Sequence, residues 1–173
     1  MSAPLAVLRF PRVLAQRRDR YAVTTPDGAV VMALDVTERG RQVDVTAPDA
    51  SPLGRILESG RGRWQLIAPG TGAVLASAET RGGIRIAIGA GPAATVKGRG
   101  DEWDLVWEQT TLLAARKVPR KVAKRCVDVW VTDRACTPVV VAFVVHVHRY
   151  LQAVEASNQV MLHQTLAASP PPS

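Results

Sequence analysis

Cysteine is scarce. Cys126 and Cys136 are the two thiols in a chain of 173 residues, too few for a disulfide framework and better suited to reduced core positions. Aromatic residues make up 5% of the chain, so four tryptophans are the main large anchors for a core. Long hydrophobic runs are missing too. A bilayer span takes roughly 18 to 20 apolar residues. The longest run here, Val139-Val-Val-Ala-Phe-Val-Val145, is soon followed by His146, His148 and Arg149. The first residues pass from apolar (Met1 to Leu8) to basic at Arg9, the reverse of a secretory signal. The expectation is a soluble, cytoplasmic chain with no transmembrane span, whose only membrane association would be peripheral.

Catalytic and metal motifs are equally thin. No G-x-S-x-G provides a nucleophile elbow. Gly89-Ala-Gly91-Pro-Ala-Ala94 lacks the third glycine of a phosphate loop, and Pro92 stands where donors are needed. Asp101-Glu-Trp-Asp104 with Glu108 lacks the oxygen-ligand spacing of a calcium loop. His146 and His148, two apart on a helix, point about 200° apart, and His163 is distant, so no shared metal or other cofactor is expected. Asp128 and Asp133 suit solvated strand and turn positions. A non-enzymatic protein is the expectation.

What the chain does contain is a core. Apolar residues make up 47% and charged residues 21%, which excludes a disordered polyelectrolyte. The length suits one domain. Turn signals recur at Pro26-Asp27-Gly28, Pro48-Asp49-Ala50 and Pro69-Gly70-Thr71-Gly72, the prolines 22 and 21 residues apart. Proline presets the first turn dihedral, and Asp or Gly supplies the next position. Between the turns, apolar residues alternate with period two: Val43 and Val45; Trp64 and Leu66; Ile84, Ile86 and Ile88; Trp103, Leu105 and Trp107; Val127, Val129 and Val131. Short, half-buried antiparallel strands of this kind predict a sandwich or barrel.

The period changes after Thr137-Pro138, an N-cap followed by proline at the first helical position. Val140, Val144, Val147, Leu151 and Val154 follow helical spacing, while Val141 and Val145 lead on the other side to His148, Gln152 and Glu155. A helix apolar on every side must be enclosed by protein, which in a β-chain predicts a helix threaded through a barrel. Within that helix, one of His146 and His148 is expected to be packed and the other to face the polar side.

The segments Tyr21-Ala-Val-Thr-Thr-Pro-Asp-Gly28, Pro52-Leu-Gly-Arg-Ile56, Trp64-Gln-Leu-Ile-Ala-Pro-Gly-Thr-Gly-Ala-Val-Leu-Ala76 and Asp133-Arg-Ala-Cys-Thr-Pro-Val-Val-Val-Ala-Phe143 resemble the tubby-like superfamily, in its bacterial phospholipid-scramblase-related and LURP-one-related branch. The resemblance covers roughly residues 20 to 156. It implies a mainly β fold: a closed antiparallel β-barrel of about a dozen strands around a central hydrophobic C-terminal helix. Closure would remove exposed strand edges. The expected organisation is an N-terminal segment over 1–19, the barrel over 20–156 with its helix from about 138, and an extension over 157–173, disordered at its end. The resemblance also implies affinity for anionic phospholipid or phosphoinositide-like headgroups. The acylation cysteines and Pro-rich arm of animal scramblases are missing, so scrambling itself is not expected.

The net charge is +7, and its densest local source is Arg116, Lys117, Arg120, Lys121, Lys124 and Arg125, six cations in ten residues with no anion among them. Pro119 breaks any helix and predicts an exposed connection. Three readings stay open: a solvated loop, an anionic-headgroup site worth about 1 kcal/mol per cation, or a phosphate-binding patch for nucleic acid. Arg17-Arg18-Asp19-Arg20 is a weaker run that matters only if the fold sets it beside the first. Most tryptophans alternate in phase with core residues; Trp130 shares its face with Asp128 and Thr132, and the sequence leaves its exposure open.

Overall fold

A computed structural model describes residues 3–12, 19–123 and 125–167, with side chains to 164. Twelve antiparallel strands close into a barrel, each paired with its sequence neighbour and β1 paired with both β2 and β12. They are β1 (Ala6–Pro11), β2 (Asp19–Thr24), β3 (Val30–Thr37), β4 (Gln42–Thr46), β5 (Pro52–Gly60), β6 (Arg63–Ile67), β7 (Val74–Glu79), β8 (Arg85–Ile88), β9 (Ala93–Arg99), β10 (Glu102–Trp107), β11 (Thr110–Lys117) and β12 (Cys126–Val131). The helix α1 (Pro138–Ala167) follows.

The seam corrects the expected boundary at residue 19. Ala6 to Pro11 form a barrel strand, in register with β12 from Ala6 opposite Val131 to Pro11 opposite Cys126. Leu8 and Phe10 enter the core. On the outer face, the Arg9 guanidinium donates to both Asp128 carboxylate oxygens at 2.7 and 2.9 Å. Asp128, expected to be solvated, instead clamps the closing seam. Six residues with a terminal proline give a weak strand signal, and the partner lies about 120 residues away, beyond the reach of local pattern.

The inward alternation is otherwise as predicted: Val43, Val45, Trp64, Leu66, Ile86, Leu105, Val127, Val129 and Val131 are all buried. Trp107 is the exception, at 40% exposed. The register between β10 and β11 shifts after Leu105, and Glu108 turns the chain with φ at +53°, which takes Trp107 out of the core. Trp130, whose exposure the sequence left open, is exposed.

Helix α1 begins at the predicted proline, the Thr137 carbonyl accepting the Val141 N–H at 2.9 Å. Val140 through His148 are buried without a break. Valine disfavours helix by a few tenths of a kcal/mol, which enclosure on all sides easily outweighs. Gly54 on β5 permits the close approach: a Cβ there would sit 3.2 Å from Leu66, Val139 and the Ile67 carbonyl. Both histidines are inside, correcting the polar placement expected for one of them. His146 Nε2 donates to the Gly40 carbonyl at 2.7 Å and its ring meets Trp64 edge-on. His148 stacks on Trp103, 4.8 Å between centroids. The two rings face different walls. By length and composition α1 would suit a bilayer span, yet half of its most apolar window is packed inside the barrel. The helix continues through the extension to Ala167, with Val160, Met161 and Leu162 exposed. Residues 168–173, the expected disordered end, lie outside the described residues.

Candidate anion-binding site

In an up-and-down meander, alternate turns share one end of the barrel. The Pro-containing turns after β2, β4 and β6 stand at the end where α1 begins, here the proximal end. Their side chains are Asp27, Asp49 or uncharged, and Glu108, Asp133 and Arg134 complete that end. The other turns stand at the distal end, where α1 leaves. They carry Arg39 and Arg41, Arg61, Arg81, Arg99, and then the 118–125 connection. Glu38 and Asp101 are the acids within these turns, and Glu79 and Glu102 stand at the strand ends beside them, as Arg99 does. The charge is thus sorted by end.

The predicted connection spans β11 to β12. It is shaped by Pro119, whose carbonyl accepts the Val122 and Ala123 N–H groups at 2.8 and 3.2 Å. Arg125 sits at φ +56°, a left-handed conformation costing a side-chain-bearing residue about 1–2 kcal/mol. Its carbonyl accepts the Arg12 N–H at 2.7 Å, tying the connection to the end of β1.

Here the predicted residues separate. Lys117, Arg120 and Arg125 line one cleft of about 520 Å³, with Arg12, Asp101, Val118 and Cys126. Lys121 is exposed but does not line it, and Lys124 lies outside the described residues. Arg116 belongs elsewhere. Its Nη1 stands 2.7 Å from Asp104 Oδ1 and donates to the Ala115 and Trp103 carbonyls at 2.7 and 3.2 Å, so its charge is held on the strand face. Arg17 and Arg18 of the weaker run lie outside the described residues, though the flanking Arg12 and Asp19 stand at this end.

The sequence did not single out Arg12, and it marked Asp101 only as part of the acidic stretch at 101–104. Each is one charge in a mixed stretch, and only barrel closure brings them to the cleft, 3.6 Å apart. Beneath this wall lies Arg149 of α1, whose Nη1 donates to the Pro11 carbonyl at 2.8 Å. Burial lowers its pKa, an effect that the neighbouring Tyr21 and Asp101 oppose. Tyr21 is pushed up by burial.

Chemically, the cleft can attract and hold an anion. Burial pushes the Cys136 thiol up to about 12, far from the thiolate range that reactivity needs. The exposed tryptophans lie away from the distal turns: Trp107 at the β10–β11 turn, and Trp130 opposite Val7 and Ala114 on the barrel wall.

No protein-family model matches the chain, and no curated protein matches it. Among solved structures it is similar to a protein from Arabidopsis thaliana determined by X-ray crystallography. The identity is 14% and the TM-score 0.60, over 88% of this chain and 93% of that one. That likeness concerns the fold alone.

Proposed function

We propose that this protein is a non-enzymatic binding module that docks its distal end onto anionic surfaces, phospholipid headgroups in particular, as a peripheral protein of the cytoplasmic side. The observation that carries the reading is the sorting of charge: cations crowd the distal turns while the proximal turns are mostly acidic or neutral. A barrel so polarised orients itself in the field of an anionic surface and meets it with one end. The tubby-like resemblance, which implies a barrel around a central helix and affinity for headgroups, supports the same reading. The nucleic-acid alternative gains no support from the tryptophans, since stacking platforms work beside the cations that track the backbone.

At about 1 kcal/mol per cation near an anionic membrane, Lys117, Arg120 and Arg125 together contribute about 3 kcal/mol, on the order of a hundredfold in partitioning. Co-sedimentation with phosphatidylglycerol vesicles, compared with phosphatidylcholine, tests this. The expected result is salt-sensitive binding to the anionic vesicles that a Lys117/Arg120/Arg125→Ala variant largely loses and Arg134→Ala, at the proximal end, retains. Equal partitioning of all three proteins would overturn it.

A further inference from the structure

The end of helix α1 projects beyond the barrel. Residues 155–164 are all exposed, a length of about 15 Å at 1.5 Å per residue. Residues 156–164 include no Lys, Arg, Asp or Glu, so no ion pair one turn apart supports this stretch from within. An isolated helix shorter than about 12–15 residues is marginal in water. This one also presents Leu162 at 62% and Met161 at 67% exposure. Such a segment gains by being covered.

The pattern along it says by what. At about 100° per residue, Leu151, Val154, Asn158, Met161 and Leu162 fall within an arc of about 100°. Gln152, Glu155, Gln159 and His163 lie outside that arc, and Val160 stands on the far face. The positions 151, 154, 158 and 161 alternate in steps of three and four, the spacing that packs one helix on another. At the barrel rim the same side of the helix is open. Leu151 and Val154 line a notch of about 240 Å³ with Tyr150 of the helix and Gly62, Trp64 and Thr80 of the wall. Stripe and notch make one apolar surface from the rim to Leu162.

A bilayer matches this surface poorly. Ser157, Asn158, Gln159, His163 and Gln164 would enter hydrocarbon with polar groups unpaired. A strongly charged partner finds no countercharge on the stripe. A second copy of the chain does match, neutral stripe on neutral stripe. Asn158 lies midway between Val154 and Leu162, so beside a two-fold axis its amide meets its own counterpart, and two amides can each donate and accept. A lone asparagine in an apolar seam is also what fixes register and chain number in helix pairs. Direction follows from the barrel. Packed helices lie about 8–10 Å apart, and each α1 is ringed by its own strands, so parallel copies would collide. The helices must run antiparallel, with the barrels at opposite ends.

We propose that this protein self-associates as an antiparallel, two-fold dimer through the projecting end of α1, each stripe from Leu151 to Leu162 packing on the other. The inference goes beyond the surface-docking reading and does not depend on it. The contact covers roughly half of the ~800 Å² per partner of a standard interface, so pairing is weak, with a dissociation constant on the order of 10–100 μM. The two basic rims face each other along the pair, so salt, which screens them, tightens it.

Sedimentation velocity of the full chain over roughly 10–500 μM reads the pairing. The expected result is a reversible dimer, severalfold tighter at about 0.5 M than at about 0.15 M NaCl. Leu162→Glu, which sets a carboxylate in the seam, should weaken it more than about tenfold, whereas Val160→Glu on the far face should leave it unchanged. Under oxidation Asn158→Cys should cross-link to its counterpart, with Ser157→Cys and the wild type as controls that do not. These positions are exposed, so unchanged urea midpoints verify that each variant folds. A chain that stays monomeric over this range, a dimer equally tolerant of Leu162→Glu and Val160→Glu, or one loosened by salt would overturn the proposal. Monomer throughout, with phosphatidylglycerol vesicle binding lost in Leu162→Glu, would assign the stripe to a bilayer and likewise overturn it. An intact dimer in a wild type that ignores those vesicles would overturn the surface-docking reading alone.

Discussion

Lowering the pH from 7 to 5 should destabilise this barrel through two residues of its core helix. His146 and His148 are buried, and burial brings both down from 6.5 to about 4. His146 donates to the Gly40 carbonyl and can do so neutral; His148 packs its ring on Trp103. The unfolded chain accepts protons at about 6.5 while the folded chain resists them until about 4. Stability is therefore fully present above 6.5, falls as the pH drops between those values, and levels off below. Each histidine then contributes a loss of about 2 kcal/mol by pH 5 and about 3 kcal/mol at the limit. With a urea slope of about 2 kcal/mol/M for a chain of this size, the midpoint at pH 5 should lie roughly 2 M below that at pH 7. His148→Phe keeps an aromatic ring against Trp103 and removes one titrating group. It should hold stability within about 1 kcal/mol at pH 7 and halve the loss at pH 5. The aspartates Asp27 and Asp49, lowered chiefly by hydrogen bonds from Thr25 and Ser51, act only at still lower pH, so the window is diagnostic. Equal urea midpoints at pH 7 and 5, or an undiminished pH slope in His148→Phe, would refute the reasoning.

Two further outcomes concern the barrel wall. Asp128→Asn breaks the two-pronged contact with Arg9, whose side chains are 14% and 17% exposed, and should cost about 1–3 kcal/mol, read as a lower urea midpoint with an unchanged slope. Gly98→Ala places a Cβ 2.6 Å from the Glu102 carbonyl and 2.8 Å from Trp103 Cα at a φ of +107°. It should cost about 3 kcal/mol and perturb Trp103 fluorescence, whereas Gly28→Ala, with open space around it, should cost about 1 kcal/mol.

How far the sequence carried depended on whether a residue's environment was set by its near neighbours. Strands with one buried face announce themselves by alternation, and the Thr137-Pro138 cap with valines on every side announces an enclosed helix. Strand β1 did not show, because its register belongs to β12 and its outward Arg9 reads as a surface charge until Asp128 is opposite. Trp107 kept the alternation and left the core because a register shift precedes it. His148 read as polar-side because only the barrel wall at Trp103 makes that side of the helix interior. At the site, the charge run of 116–125 was legible as composition. The diversion of Arg116 to Asp104, and the arrival of Arg12, Asp101 and Arg149, required closure of the ring.

The charge polarity of the barrel is nonetheless written along the chain, at a period that only the topology makes meaningful. In a meander of short strands, turns 21 or 22 residues apart share an end, and Pro26, Pro48 and Pro69 mark such a set. The turns between them read Glu-Arg-Gly-Arg over 38–41 and Gly-Arg-Gly-Arg over 60–63, and the series continues with Arg81, Arg99 and the 118–125 connection. Proline-and-aspartate turns alternate with arginine-and-glycine turns down most of the chain. A net charge of +7 spread evenly would have argued only for solubility. Sorted by alternate turns, it produces one strongly basic end. The twofold alternation of turn chemistry, more than the six clustered cations, is what converts composition into a directed binding surface.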